Sequence, residues 1–255
     1  MATPLPDAPR PDAPLLEALG LSKRYGGLIA NNGVTLRLAR GEIRGLIGPN
    51  GAGKTTLVNL ITGIETADAG RIRLGDVELS GRPAHAIAAH GLIRTFQVAR
   101  VFESLSVRDN LLLPFLAAGS PGGLGAGRAR LAELLALSTL AALADDRAGT
   151  LSGGQRMLLQ ACAGFMVPGV SLHVLDEPFA GINPVVKDTL IQLIRRENES
   201  HACTFLIVSH EMDIVRRLCP IVSVMIEGAI AAEGRLDEVA RRADVIAAYL
   251  GGNAP

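Results

Sequence analysis

Net charge is the first thing this chain lacks. Its 25 Lys and Arg residues are balanced by 25 Asp and Glu. A general nucleic-acid binder carries a basic footprint, so no nucleic-acid partner is expected. Long apolar runs are missing too. Hydrophobic residues make up 48% of the 255, yet no stretch approaches the roughly 18 apolar residues of a spanning helix. The best stretch, Leu111 to Ala118, is short and contains Pro114. The chain is not expected to cross a membrane, though its apolar character suits a protein that sits against one. Cysteine is sparse. Cys162, Cys203 and Cys219 lie far apart with no CxxC pair, which excludes a disulfide framework and suits a reducing cytosol. All three are read as small buried side chains. No internal repeat has a solenoid period. Residues 1–14 hold five prolines and no apolar core of a signal peptide, so they are read as a disordered tail; 251–255 are read as a tail. Lysine is nearly absent: only Lys23, Lys54 and Lys187 occur.

The patterns that remain are those of an α/β protein. Val34, Leu36 and Leu38 alternate with Thr35 and Arg37, the period of a half-buried strand. Ile43 to Ile47 reads as a buried strand running into a glycine loop. Lys54 to Thr62 follows as a helix closed by Gly63. Arg71 to Leu79 reads as a small hairpin. From about Ser80 to Gln155, Ala- and Leu-rich helical stretches dominate, and the glycine-rich segment Ser120 to Gly127 is expected to be loop. Strands then alternate with helices: Leu172 to Leu175, Pro184 to Glu197 with proline at the helix start, Thr204 to Val208, Glu211 to Leu218 and Ile221 to Ile226. That alternation predicts a largely parallel sheet covered by helices, with the helical middle as an insertion.

Gly48-Pro49-Asn50-Gly51-Ala52-Gly53-Lys54-Thr55 fits GxxxxGK[ST]. The glycines let backbone N–H groups turn inward around a phosphate. The helix that follows adds the partial positive charge of its N-terminus. Lys54 can reach the terminal phosphates, and the Thr55 hydroxyl can hold Mg²⁺. The motif needs a strand before it and a helix after it, and both are present.

Leu151-Ser152-Gly153-Gly154-Gln155 is the second signal. Alone it is no more than a helix cap. In sequence with the phosphate loop it resembles the signature of ATP-binding cassette (ABC) ATPases. The resemblance continues in order along the chain. Tyr25 lies where the family stacks an aromatic on adenine. Gln97, in Arg94-Thr95-Phe96-Gln97, is similar to the Q-loop glutamine. Asp176-Glu177 resembles the Walker B pair, Ala180 to Pro184 the D-loop, and His210 the switch histidine. Closer detail resembles the ATPase subunits of branched-chain amino acid (LIV-type) importers: Arg24 to Leu28, Arg94 to Gln97, Leu105 to Asn110, Ala180 to Pro184 and Val245 to Gly251. The chain departs from the family pattern at His173, Ala163, Pro220 and Ala229, and none of these removes a catalytic group.

The resemblance implies a P-loop ATPase fold: a RecA-like core with a mixed sheet, an antiparallel β subdomain and a helical subdomain inserted at 81–155, in a single domain over 15–250. It implies ATP and Mg²⁺ as cofactors. Tyr25, Gly48 to Thr56 and the signature Ser152 to Gln155 would bind nucleotide, and Thr55, Gln97 and Asp176 the metal. Catalysis would fall to Lys54, Gln97, Glu177 as the water-orienting carboxylate and His210 at the γ-phosphate. The signature would close over nucleotide held by a second cassette, identical or paralogous. Further implied partners are two permease subunits and, indirectly, a substrate-binding protein, at the cytoplasmic face of the inner (plasma) membrane. The rival readings are an ABC ATPase for another cargo (urea, short amides or an envelope lipid), a soluble ABC ATPase of DNA repair or translation, and a binding module with a dead site. The second class usually carries a coiled coil or a second cassette, and the intact Lys54, Asp176, Glu177 and His210 oppose the third. His85, His90, His173 and His201 show no metal-ligand spacing and are read as structural or solvated, and Tyr249 as helix packing.

Overall fold

The computed structural model describes residues 13–251. The two tails expected from the sequence lie almost wholly outside the described residues. The chain opens with a long antiparallel hairpin, β1 (Leu16–Tyr25) and β2 (Leu28–Leu38), turned at Gly26-Gly27. β3 (Ile43–Ile47) leaves this sheet and is buried at all five positions. The phosphate loop and α1 (Lys54–Ile61) follow. β4 (Ala69–Leu74) and β5 (Val77–Glu78) return to complete a four-stranded antiparallel sheet in the order β2-β1-β4-β5.

The second sheet has six strands. β6 (Leu92–Arg94), β7 (Leu172–Asp176), β8 (Thr204–Val208) and β9 (Ile221–Ile226) join β3, and β10 (Ala229–Gly234) closes one edge. The order is β10-β9-β3-β8-β7-β6, parallel throughout except for β10 against β9. β3, β7 and β8 are covered on both faces, so their sequences run almost continuously apolar instead of alternating. The pleat divides their side chains between two cores. Leu206 and Val208 face the cluster around α1 and the antiparallel sheet, with Leu57, Ile61, Leu36 and Val174. Phe205 and Ile207 face the other way, into a cluster with Leu158, Cys162, Leu190 and Ile194.

That second cluster is built by α5 (Gly153–Phe165) and α6 (Pro184–His201). α3 (Val107–Ala117) and α4 (Gly123–Leu137) pack onto it through Leu111, Phe115, Leu131 and Leu134. α2 (Ala84–Ala89), α7 (Met212–Leu218), α8 (Leu236–Val239) and α9 (Ala243–Gly251) complete the helices. Among the described residues no helix is long and apolar enough to cross a membrane. Cys162, Cys203 and Cys219 are all buried free thiols, and burial pushes their pKa values up to about 12, 11 and 12.

Two expectations need correction. Gly123 to Gly127 is not loop but the first turns of α4. Gly127 is there for space: a Cβ on it would lie 2.5 Å from the Phe115 ring, so this glycine marks helix contact and not a turn. The helical insertion also does not begin at residue 81. β6 pairs with β7 in the six-stranded sheet, Leu92 opposite Leu172, so the helical part starts beyond it. Only three residues long, β6 offers too short a pattern to read.

The four departures from the family pattern are absorbed. Ala163 packs on the second core cluster. Pro220 is exposed just before β9, where a missing N–H costs no ladder bond. Ala229 begins β10 opposite Ile226. His173 is buried between two rings, stacked on Phe205 at 5.1 Å and edge-on to Phe165 at 5.1 Å. It does the work of an aromatic core residue. Burial, reinforced by the charge of Arg130, pushes its pKa down from 6.5 to about 3.

The unfolded chain therefore takes up a proton at His173 that the folded chain refuses. The stability tied to this group is complete above pH 6.5 and is lost as pH falls toward about 3. Each pH unit in that window costs up to about 1.4 kcal/mol. Comparing urea unfolding of the wild type and His173→Leu from pH 7 to pH 4 checks this: the difference between the two should grow with acid in the variant's favour.

Candidate active site

β3 delivers the chain into the loop Gly48 to Thr55 at the foot of α1. Two of its glycines are dictated by space. A Cβ on Gly48 (φ 151°) would lie 2.2 Å from the Met225 carbonyl oxygen in β9, and one on Gly53 (φ 95°) 2.3 Å from that of Ala30 in β2. The loop is thus gripped by one strand from each sheet. The Gly228 N–H donates to the Ala52 carbonyl (3.1 Å), and the buried Asn31 amide donates to that of Gly53 (3.2 Å). Among the described residues no side chain caps α1, so its first N–H groups are left to an anion. Lys54 arches over the loop, its Nζ donating to the carbonyls of Gly48 (2.8 Å) and Pro49 (2.9 Å). Partial burial lowers its pKa, against the pull of Glu177 and Asp176 in the other direction.

A cleft of about 370 Å³ opens over this loop. Asn50 to Thr56, Gln97, Asp176, Glu177 and Tyr25 all line it. At its outer end Tyr25 is 44% exposed, with Leu28 (67%) and Ile29 (42%) beside it. Leu28 was quoted in the sequence only as the last residue of a motif and Ile29 not at all, and neither was assigned to the site. The Tyr25 hydroxyl donates to Glu65, which holds the ring in place and raises the tyrosine pKa. Lys23 Nζ lies 5.7 Å from the ring centre.

The two adjacent carboxylates differ in surroundings. Asp176 ends β7, buried, with Oδ2 accepting from Arg94 Nη2 at 2.6 Å. Glu177 follows in a left-handed conformation (φ 49°), an unfavourable state for a non-glycine residue and one found at functional sites. Its N–H donates to the Val208 carbonyl (2.9 Å), which ties it to β8. His210, on the loop after β8, brings Nδ1 to 2.9 Å from Glu177 Oε2. That approach lacks hydrogen-bond alignment, and Oε2 is buried without a partner among the described residues. Glu211, next to His210, pairs with Lys187 in the first turn of α6.

Ser152 to Gln155 do not line this cleft. Ser152 caps α5, with Oγ accepting from Gln155 N–H (3.3 Å) while Gln155 Oε1 accepts from Ser152 N–H (2.8 Å). Ser152 and Gly153 are exposed.

The cleft can take a nucleoside triphosphate: anion-binding backbone and a lysine at the bottom, an aromatic face at the mouth. For a divalent cation its lining offers Thr55, Gln97 and Asp176. Among the described residues no three His, Cys, Asp or Glu side chains converge to hold a metal. Few protein ligands suit Mg²⁺, which keeps its waters and leans on phosphate oxygens.

The family model described as ABC transporter matches residues 31–180, more than half of the chain. The chain belongs to the ABC transporter ATP-binding family. It is an ABC ATPase. It is 38% identical over 251 residues to the high-affinity branched-chain amino acid transport ATP-binding protein BraF of Pseudomonas aeruginosa, covering 93% of this chain and 98% of that one. LivG of Escherichia coli is also 38% identical with the same coverage. The probable LivG of Archaeoglobus fulgidus is 33% identical, over 93% of this chain and 95% of its own length. Among solved structures, a nucleotide-free ATP-binding cassette from an ABC transporter superposes with a TM-score of 0.81 at 29% identity, covering 92% of this chain and 98% of that one. The ADP conformation of such a cassette gives 0.80 at 29%, covering 93% and 99%.

The loop geometry makes a graded prediction. Gly51 is open to solvent, with nothing within 4 Å of an added Cβ, so Gly51→Ala meets only backbone strain of about 1 kcal/mol. Gly48→Ala drives a methyl into β9 and should cost more than about 2 kcal/mol. Denaturant unfolding of the two variants measures the difference.

Proposed function

We propose that this chain is the energy-coupling subunit of an importer for branched-chain or closely related amino acids. It would work at the cytoplasmic face of the inner membrane beside two permease subunits and, indirectly, a substrate-binding protein. One observation carries the cargo reading: 38% identity across 93% of the chain to BraF and LivG, which are named as branched-chain amino acid transport ATP-binding proteins.

The chemistry is assigned residue by residue. Phosphoryl transfer needs charge neutralisation and alignment more than covalent help. The N–H groups of Gly51 to Thr56 cradle the phosphates, and Lys54 exchanges its two loop carbonyls for phosphate oxygens. Magnesium, held by Thr55 with Gln97 and Asp176, would supply further positive charge at the triphosphate. Glu177, with an oxygen free of hydrogen bonds, accepts or orients the attacking water's proton. His210 holds the γ-phosphate from the opposite loop. Tyr25 stacks on the base, with Leu28 and Ile29 widening the apolar platform.

The exposed Ser152-Gly153 end of α5 supports a composite site, in which it caps the triphosphate of a second cassette, identical or paralogous. Nucleotide then joins the pair and its hydrolysis releases it, a ligand-biased two-state element.

Two measurements test this. Glu177→Gln should keep ATP affinity within about twofold and lower turnover by at least about a hundredfold, since it removes the proton-accepting group; unchanged turnover removes Glu177 from that role. The membrane complex purified through this chain and placed in proteoliposomes should take up labelled leucine, isoleucine or valine only with ATP. Uptake of urea or an amide in their place would reassign the cargo and leave the ATPase standing.

A further inference from the structure

We infer that Arg94 is a positioning residue of the metal site, holding the Asp176 carboxylate by one oxygen so that the other is presented to the cleft. The inference rests on the proposal that Asp176 serves Mg²⁺ together with Thr55 and Gln97. The family resemblance gives Gln97 a task and leaves Arg94, three residues earlier on the same segment, without one.

The sheet places the two groups. β6 and β7 run parallel with Arg94 opposite Val174, so Arg94, Val174 and Asp176 point to the same face of the sheet. Val174 belongs to the core cluster around α1, so that is the face α1 covers. The Arg94 side chain is only 8% exposed and that of Asp176 6%. A guanidinium in such a place normally clamps one carboxylate with two parallel bonds. Here the fork is split. Nη2 donates to Asp176 Oδ2 at 2.6 Å, and Nη1 donates to the Asn59 carboxamide oxygen on α1 at 2.6 Å. Nε is buried with no partner among the described residues. Asp176 is therefore gripped by a single oxygen.

Arg94 is itself held from behind. Asn59 Nδ2 donates to Glu65 Oε1 at 2.6 Å, and the other Glu65 oxygen accepts from the Tyr25 hydroxyl. The chain of groups runs from the tyrosine at the mouth of the cleft to the carboxylate at its wall. An arrangement serving stability alone would use the fork fully on Asp176 and leave no buried Nε unpaired. Partners of this kind, which orient a metal's ligand without touching the metal, are typically worth about 10–100-fold in metal affinity.

The test is Mn²⁺ binding to the full chain loaded with ADP, followed by electron paramagnetic resonance, in wild type, Arg94→Met, Arg94→Lys and Asn59→Leu. ADP affinity in EDTA should stay within about twofold in all of them. Mn²⁺ affinity should fall about tenfold or more in Arg94→Met. It should recover in part in Arg94→Lys, which restores the charge without the fork, and fall less in Asn59→Leu. Folded Arg94→Met that binds Mn²⁺ as well as wild type, or more tightly, overturns the inference. If Arg94→Met does not fold, wild-type Mn²⁺ affinity in both other variants overturns it. Wild type that binds ADP but shows no nucleotide-dependent Mn²⁺ site overturns the metal proposal itself, a distinguishable result.

Discussion

The phosphate loop has no room to be anything else. Its backbone passes so close to the carbonyls of Met225 and Ala30 that neither Gly48 nor Gly53 can carry a side chain. These contacts come from different sheets, β9 of the six-stranded sheet and β2 of the antiparallel one. The cradle therefore exists only when both sheets are formed and docked. This gives the antiparallel sheet two tasks in one strand pair: it presses the loop into shape from one side, and it presents Tyr25, Leu28 and Ile29 at the mouth of the cleft. In the proposed binding mode, the base and its phosphates would be set by the same element, and a site on packed strands holds tighter tolerances than one on free loops.

The same economy governs the carboxylates. Asp176 and Glu177 are neighbours in the chain, yet one is tied down and the other is not. Asp176 is the last residue of β7 and takes the strand's orientation, toward α1 and Arg94. The left-handed Glu177 then bends the chain, and its N–H extends the ladder to Val208. Its side chain is thereby delivered to the loop that follows β8, where His210 stands. Adjacent parallel strands end together at one edge of the sheet, and ligands of such folds bind beyond those ends. The strain at Glu177 accompanies the bend that gives two adjacent carboxylates different surroundings.

Much of this was legible from residue types and their order. Buried strands betrayed themselves as short apolar runs, the phosphate loop as a spacing no ordinary turn needs, and the signature as a cap in the right sequence of motifs. What escaped had no local pattern. β6 is three residues long and takes its place only through pairing with β7. Gly127 looked like a loop residue because glycine at a turn and glycine under an aromatic ring are the same letter. Arg94 was quoted within a motif, but its partners Asn59 and Asp176 come from a helix and a strand far away in sequence, and only the fold brings them together. His173 looked like an interruption of the strand; in place it is a ring among rings, uncharged because it is buried.

The signature stands apart from the cleft yet is wired to it. α5 is capped by the exposed Ser152 and carries Gln160 two turns later. That side chain donates to the Phe96 carbonyl (2.9 Å) and accepts from Arg100 N–H (2.8 Å), bracketing Gln97 on both sides. Gly154, at the head of the same helix, packs so closely on Ile182 that a Cβ would come within 3.2 Å of it. One rigid helix thus touches the segment that lines the nucleotide wall and the loop that leads into α6. Lys187 on α6 in turn grips Glu211 beside His210. The head of α5 is thus linked by direct contacts to the segment around Gln97 on one side and, through the loop into α6 and Lys187, to the His210 loop on the other. In the proposed energy-coupling role, these contacts would carry the loss of phosphate at the cleft to the exposed signature end of α5.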